Sequence, residues 1–591
     1  MQKSNPSLIM TDDIFCENTI NQLKDHFTVI YGKESVDECL KRTKRLIQKY
    51  NLQPSKKVSF HDVWTHKDHI LITYGDMVQP SPGEPVSKLR KQNQFLKEKL
   101  DDEISSVHIL PFFPSSSDDG FSVVEYRRVD ERLGGWDDIE EMSKDFRIMG
   151  DLVMNHTSRY SEWFKKYLRK EEEYEEYFIE IDPSTDLSEV TRPRSTPLLT
   201  PVHTKNGEKF VWSTFSDDQI DVNFRNIDVL FEYLDIFFFY LSKGLSVVRL
   251  DAVAFIWKEI GTSCIHLKET HEIVKLMRTL VNCFTPKSTI ITETNVPHKE
   301  NISYFGDGDE THMVYQFSLP PLLLHAILTE NAAYLTEWVK SLKGLPENCT
   351  YFNFTSSHDG IGVRPLEGLV PDDEFNKLVS DIKTKGGFIS EKKNPDGTLS
   401  PYELNITYFD AFSGMNGSQS LQERRYMCSQ IISLSLKGVP GIYFHNLTAT
   451  RNNLQGVSIT GRYRTINRKK WYYDELTSEL SDPDTSTSRI FNSMKEVISV
   501  RQKHPAFHPF GGQKAYDIDD KIFCLVRWDP NETERILVLA NLTNKPKTVN
   551  LQEHSLPVKN GNGYNDIISG KQCISNGVVK LTPFKVVWVK V

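Results

Sequence analysis

Leu245-Ser246-Val247-Val248-Arg249-Leu250-Asp251-Ala252-Val253 is a short, nearly continuous apolar run interrupted by charge at its end. Strands buried on both faces of a parallel sheet read this way. Arg249 and Asp251 are two residues apart, so on a strand both side chains share one face, with Arg249 deeper. A guanidinium so placed orients a carboxylate and is expected to depress its pKa, keeping Asp251 ionised and nucleophilic. Polar groups within an apolar strand cost free energy unless they are satisfied or used.

Working outward, comparable runs occur at Ile70–Tyr74, Val107–Phe113, Ile148–Met154, Thr289–Thr292, Met313–Phe317, Tyr351–Thr355 and Val439–Phe444. With Leu245–Leu250 they make eight candidate strands, separated mostly by helix-like stretches. Eight β-then-α units predict an α/β fold, a (β/α)8 TIM barrel; a doubly wound open sheet is the competitor. The barrel is expected over residues 56–510. Before it, 1–55 form an N-terminal helical segment, with apolar residues at helical spacing over 13–50 and a break at Gly32. Two gaps are too long for ordinary βα loops, about 157–222 (B-type) and 356–425 (B′-type), and are expected to be inserted loop subdomains serving as lids or walls. From 511 to 591 the pattern changes. Phe523–Trp528, Ile536–Leu539 and Val587–Val591, with turn residues between, predict a C-terminal antiparallel β-domain.

Composition narrows the function. The chain has 591 residues, 38% of them hydrophobic, and a net charge of -9. That is ample for a large core and argues against a nucleic-acid partner. The basic cluster Lys88-Leu89-Arg90-Lys91 reads as a solvated helix face. Eight cysteines in so long a chain, none at metal-ligand spacing, are no disulfide framework. The first thirty residues hold no apolar signal core, and Ile236-Phe237-Phe238-Phe239-Tyr240-Leu241 is far too short to span a bilayer. A cytoplasmic protein with no membrane partner is the expectation. Oligomeric state is silent.

Four segments close candidate strands three, four, five and seven. They are Asp151-Leu152-Val153-Met154-Asn155-His156, Val248-Arg249-Leu250-Asp251-Ala252-Val253, Ile291-Thr292-Glu293-Thr294 and Ser357-His358-Asp359. In a barrel such ends converge on one mouth. Glu293 ends the strand after that of Asp251, so the two are neighbours. Apolar surroundings and a second carboxylate raise the pKa of a Glu, as a general acid requires. Retaining glycosidic chemistry uses such a pair roughly 5–5.5 Å apart. Carboxylates and arginines account for that chemistry, so no cofactor and no metal is implied.

In this order the four segments resemble the four sequence blocks of the α-amylase superfamily, glycoside hydrolase family thirteen. The resemblance covers about residues 65–475. It implies Asp251 as nucleophile, Glu293 as acid/base and Asp359 as the third carboxylate, gripping sugar hydroxyls. It implies Arg249 as partner of the nucleophile and His156 and His358 as binders of the glucose ring. Ser117-Asp118-Asp119-Gly120-Phe121 is similar to a segment of sucrose phosphorylases and their relatives, where an Asp holds glucose hydroxyls and an aromatic ring packs on the sugar. Asp118 and Phe121 match best, with Asp119 as competitor. Arg464-Thr465-Ile466-Asn467-Arg468 resembles the Arg-x-Ile-Asn-Arg stretch of that group, in which one Arg closes the glucose subsite by pairing with the Asp of that turn; Arg468 is favoured over Arg464. Arg192-Pro193-Arg194 resembles a phosphate-binding segment, which implies Arg194 as phosphate ligand. Gln219-Ile220-Asp221-Val222-Asn223 also has a counterpart in the family.

One departure matters. Sucrose phosphorylases have Tyr in a Gly-Tyr pair four residues after the nucleophile, whereas this chain has Ala254-Phe255. That looks more like glucosylglycerate phosphorylases. The resemblance thus implies a retaining phosphorylase, a glycosyltransferase-type enzyme that cleaves a small α-D-glucoside, glucosylglycerate-like, with inorganic phosphate to give α-D-glucose 1-phosphate. The alternatives are a sucrose phosphorylase, or a retaining hydrolase or transglucosidase on the same scaffold. A non-enzymatic binding protein would be expected to lack one of Asp251, Glu293 and Asp359.

Overall fold

The computed structural model describes residues 15–591 apart from 57, 343, 395, 415–417, 555 and 559–562. Residues 1–14 of the expected N-terminal segment therefore lie outside the described residues. Eight parallel strands close into a barrel in chain order. They are β1 (Ile70–Thr73), β2 (Ser106–Ile109), β3 (Arg147–Val153), β4 (Leu245–Asp251), β5 (Thr289–Thr292), β6 (Met313–Tyr315), β7 (Thr350–Phe354) and β8 (Val439–Tyr443). Each apolar run read from sequence supplies one of them, because parallel strands are covered on both faces and leave no polar alternation to misread. The register sets Asp151 opposite Arg249 and Val153 opposite Asp251. It also sets Ile291 opposite Arg249.

Helices follow the strands and form the outer layer, among them Lys88–Leu100, Ile227–Ser242, Lys268–Phe284, Gln419–Ser435 and Ser486–Arg501. After β5 the helix shrinks to one turn, His298–Asn301, followed by a 3-10 segment. Helix Ile227–Ser242 is apolar on nearly every side because it is covered twice, by the barrel inside and by a helical pair outside. That pair is Glu17–Tyr31 and Val36–Lys49, hinged at Gly32. Phe27 stacks on Phe231 at 6.1 Å, Lys49 bonds Asp235 at 2.6 Å, and His26 contacts Glu272 at 2.6 Å. In helix Lys88–Leu100 the basic cluster is only partly a solvated face. Lys91 is buried, its ammonium held by Glu84 at 2.5 Å and lying over the Tyr473 ring.

Between β3 and helix Ile227–Ser242 lie a short antiparallel pair, His156–Ser158 with Gln219–Asp221, a short helix, Glu162–Leu168, and a hairpin, Leu199–Thr204 with Gly207–Trp212. After β7 comes a three-stranded antiparallel sheet of Ile361–Gly362, Leu399–Asn405 and Phe388–Lys393. Beyond the barrel, two four-stranded antiparallel sheets pack face to face. Gly512–Asp519, Ile522–Trp528, Arg535–Asn541 and Val586–Lys590 form the sheet against the barrel helices, and Trp588 Nε1 donates to Ser435 Oγ at 2.8 Å. No helix among the described residues is long and apolar enough to cross a membrane.

Inside the barrel wall, Gly441 on β8 faces the Phe352 ring so closely that a Cβ there would fall 2.2 Å from it. The ring has no room to retreat in a close-packed core. Gly441→Ala is expected to cost about 1–3 kcal/mol, read as a lower denaturant midpoint; an unchanged midpoint would show that the wall repacks freely.

Candidate active site

The barrel strands aim their C-terminal ends at one cavity that opens to solvent at its mouth, as small-molecule sites on this fold do. Asp118, Phe121, His156, Arg194, Asp251, Glu293, His358 and Asp359 all line it. The floor is built by β3, β4 and β5. Arg249 Nη1 donates to Asp251 at 2.8 Å and also bonds Asp151, and Arg249 Nη2 lies 3.9 Å from Glu293. Asp151 is held from its other side by His108 Nε2 at 2.7 Å. Chain direction turns sharply after Asp251, where Ala252 takes a left-handed φ of 52°, uncommon for a residue with a side chain. That turn lets the Ala252 amide hydrogen-bond Glu293.

Burial pushes the Asp251 carboxyl well above the ordinary carboxylate value, and Glu293, Asp151 and Asp359 add to the shift; Arg249 offsets only part of it. Sequence reading expected Arg249 to depress Asp251; burial outweighs the guanidinium, and the shift runs upward instead. Glu293 is also raised, by burial first and then by Asp359, with Arg249 opposing. Two neighbouring carboxyls raised together titrate as a pair and hold one proton between them. Of the two, Asp251 accepts the hydrogen bond of Arg249, at 2.8 Å against 3.9 Å for Glu293, and such a bond favours the charged form. Asp359 goes the other way. Burial would raise it, but Arg464, His358, Arg468 and Arg249 outweigh burial and hold it well below the usual range. Burial pushes His358 down to about 3 and lowers His156, so both rings are neutral near pH 7.

Phe121 stacks on His358 with ring centroids 4.8 Å apart and planes 2° from parallel. His156 Nε2 lies 3.0 Å from the Phe121 carbonyl and 3.1 Å from Gln219 Nε2. The open choices in the Asp118-Asp119 turn and the arginine stretch separate in space. Asp118 and Arg464 line the cavity. Asp119 and Arg468 form an ion pair behind it, and Arg468 Nη1 is 3.9 Å from Asp118. Arg468, favoured from sequence, thus lies outside the lining; its Nε holds the His358 carbonyl at 2.8 Å. Arg464 bonds Asp359 at 2.5 Å and Glu403 at 2.5 and 3.1 Å. Arg194 reaches the same cavity from the first insertion, 3.9 Å from Glu403 and over the Tyr402 ring.

Sequence reading missed Tyr402, Glu403, Arg364 and Asn295, all in the lining. Three of them come from the second insertion, where no local pattern marks which residues face the barrel. Asn295, two residues past Glu293, was near enough to a recognised block to be weighed. Lys258 was passed over as well. Its buried ammonium holds Asp221 at 2.6 Å and Asn155 at 2.5 Å, tying the first insertion to the end of β3.

Comparison with known proteins agrees with this geometry. The α-amylase catalytic-domain family matches residues 94–361. A glucosylglycerate phosphorylase of Spirochaeta thermophila is 47% identical over 81% of this chain and 81% of its own length. One of Escherichia coli is 43% identical over 89% and 92%. The crystal structure of sucrose 6F-phosphate phosphorylase from Thermoanaerobacter thermosaccharolyticum superimposes with a TM-score of 0.69 at 25% identity, covering 81% of this chain and 94% of that one. On its closed barrel, its carboxylate-lined mouth and these relatives, the chain belongs to the glucoside-phosphorylase branch of the α-amylase superfamily.

Proposed function

We propose that this protein is a retaining phosphorylase that cleaves an α-D-glucosylglycerate with inorganic phosphate, giving α-D-glucose 1-phosphate and glycerate. The observation that carries the proposal is the meeting of Asp251 and Glu293 in one cavity whose wall also holds Arg194. Two relatives above 40% identity bearing the name glucosylglycerate phosphorylase support the choice of donor. Phe255 in the lining, where sucrose phosphorylases have Tyr, supports it too.

In the first displacement Asp251 attacks the anomeric carbon while Glu293 gives its proton to the glycosidic oxygen, and glycerate leaves. A covalent glucosyl-enzyme remains. In the second, a phosphate oxygen attacks the same carbon, Glu293 takes back a proton from the phosphate, and Asp251 is released. Two inversions retain configuration. Asp359 is the permanently charged group of the three. It and Asp118, with His156 and His358 neutral, are assigned to the glucose hydroxyls, and the Phe121 ring to the sugar face. Arg468 acts behind Asp118 and His358 as a positioning residue, and Arg464 sets the direction of Asp359. Phosphate has to prevail over water at far higher concentration, which calls for a closed wall and a cation aimed at it. Arg194 meets the second need through charge-assisted hydrogen bonds. An intracellular setting belongs to the same proposal. All eight cysteines are unpaired, as suits a reducing compartment.

With glucosylglycerate as donor, glucose 1-phosphate is expected only when phosphate is supplied, and sucrose and glucosylglycerol are expected to be poor donors. Free glucose appearing at the same rate with and without phosphate would make the enzyme a hydrolase. Asp251→Asn should lower kcat by about a thousandfold or more with the fold intact by circular dichroism; retained turnover would remove the nucleophile assignment. The protonated form of Glu293 is needed in the first step and is lost as pH rises through its raised pKa. Glu293→Gln should therefore abolish the alkaline limb of the kcat/KM profile while lowering its plateau. Survival of that limb would assign it to another group.

A further inference from the structure

The arginines in the cavity wall differ in how fully their charge is spent. Arg464 is saturated, with Asp359 at 2.5 Å and a two-pronged hold on Glu403. Arg194 shares Glu403 at 3.9 Å and rests over an aromatic ring. Arg364 is the least satisfied. Its ion pair with Glu367 is long, 3.9 Å, and that carboxylate is shared with Lys392 at 3.5 Å. Its Nε is buried without a hydrogen-bond partner among the described residues. A buried donor left in that state is costly unless a ligand completes it.

A second unpaired group lines the same cavity as Arg364. Asn295, two residues beyond Glu293, has a buried side-chain oxygen that finds no partner among the described residues. Its amide lies against Gly362, where a Cβ would come within 2.6 Å of it, so any larger residue there would have to displace the Asn295 amide. Glu293 is the group that protonates the departing oxygen, so the aglycone leaves on its side of the cavity. Asn295 and Arg364 line the same cavity as Glu293, and Asn295 follows Glu293 by two residues, which keeps it near the departing oxygen. A guanidinium recognises a carboxylate with directed hydrogen bonds, and an amide serves a neighbouring hydroxyl as donor or acceptor. An uncharged polyol or ketose would leave Arg364 buried and unanswered, and a buried polar group without its partner rejects such ligands strongly.

We propose that Arg364, with Asn295 in the same cavity wall, is the residue that selects an aglycone bearing a carboxylate, separately from the phosphate contact of Arg194. This rests on the phosphorylase reading above and adds the determinant of its acceptor. The test is run in the synthetic direction from glucose 1-phosphate, with D-glycerate, glycerol or water as acceptor, on the wild type, Arg364→Met and Arg364→Lys. In Arg364→Met the KM for glycerate should rise about 10- to 100-fold, the loss of one charge-assisted contact. The KM for glucose 1-phosphate should stay unchanged, which also shows the variant folded, and the rate to glycerol should rise, because the guanidinium that rejects an uncharged acceptor is gone. Arg364→Lys should recover part of the loss. An unchanged KM for glycerate overturns the proposal while leaving the phosphorylase reading intact. An equal rise in the KM for glucose 1-phosphate overturns it as well, since Arg364 would then be a phosphate ligand. A wild type that transfers to glycerol as readily as to glycerate removes the underlying reading and this one together.

Discussion

A guanidinium exposed to only 2% has to find its counter-charges inside the protein, and Arg249 finds them in the carboxylates of three adjacent strands. Burying such a charge is expensive unless its hydrogen bonds are filled, and removing one partner from the group costs far more than its net worth. The consequence is geometric. Asp151 on β3, Asp251 on β4 and Glu293 after β5 cannot drift apart without stranding Arg249, so the strand register and the carboxylate spacing fix one another. His108 on β2 extends the network by holding Asp151. The floor of the mouth is therefore stiff before any substrate contact is made, as preorganised catalysis requires.

The same economy of charge differentiates the three carboxylates of the mouth. Arg249 is shared, so Asp251 and Glu293 stay within reach of a proton. Asp359 has Arg464 and Arg468 nearby and never needs one. Chemically similar side chains, set a few ångströms apart, are thus tuned to different tasks by how many cations each can claim. Around this floor the wall is contributed by segments far apart in the chain. Arg194 comes from the first insertion, Tyr402, Glu403 and Arg364 from the second, and Arg464 from the stretch after β8. Glu403 ties them together, since Arg464 and Arg194 both turn to it.

Much of this was legible in the linear chain. The barrel strands were readable because each is a run of residues that must be dry on both faces, a property local to the run. Asp251, Glu293 and Asp359 were readable because each stands at the end of such a run or a few residues past it, and a barrel sends every strand end to the same place. The second C-terminal sheet was less so. Lys547–Asn550, Gln572–Ser575 and Val578–Leu581 are short and mixed in character, and their pairing depends on the partner sheet.

What the sequence determined by itself was the succession of buried strands, the residues standing at their ends and hence the family. These follow from hydrophobic burial, which is written residue by residue. What only the tertiary structure decided was how charge is shared. That Arg249 divides itself among several carboxylates too deeply buried for it to hold Asp251 low, that Arg464 rather than Arg468 faces the cavity, and that Arg364 stays unsatisfied depend on distances in space between segments that lie tens to hundreds of residues apart in the chain. Coulombic and hydrogen-bond energies are set by those distances in three dimensions, and no spacing along the chain encodes them.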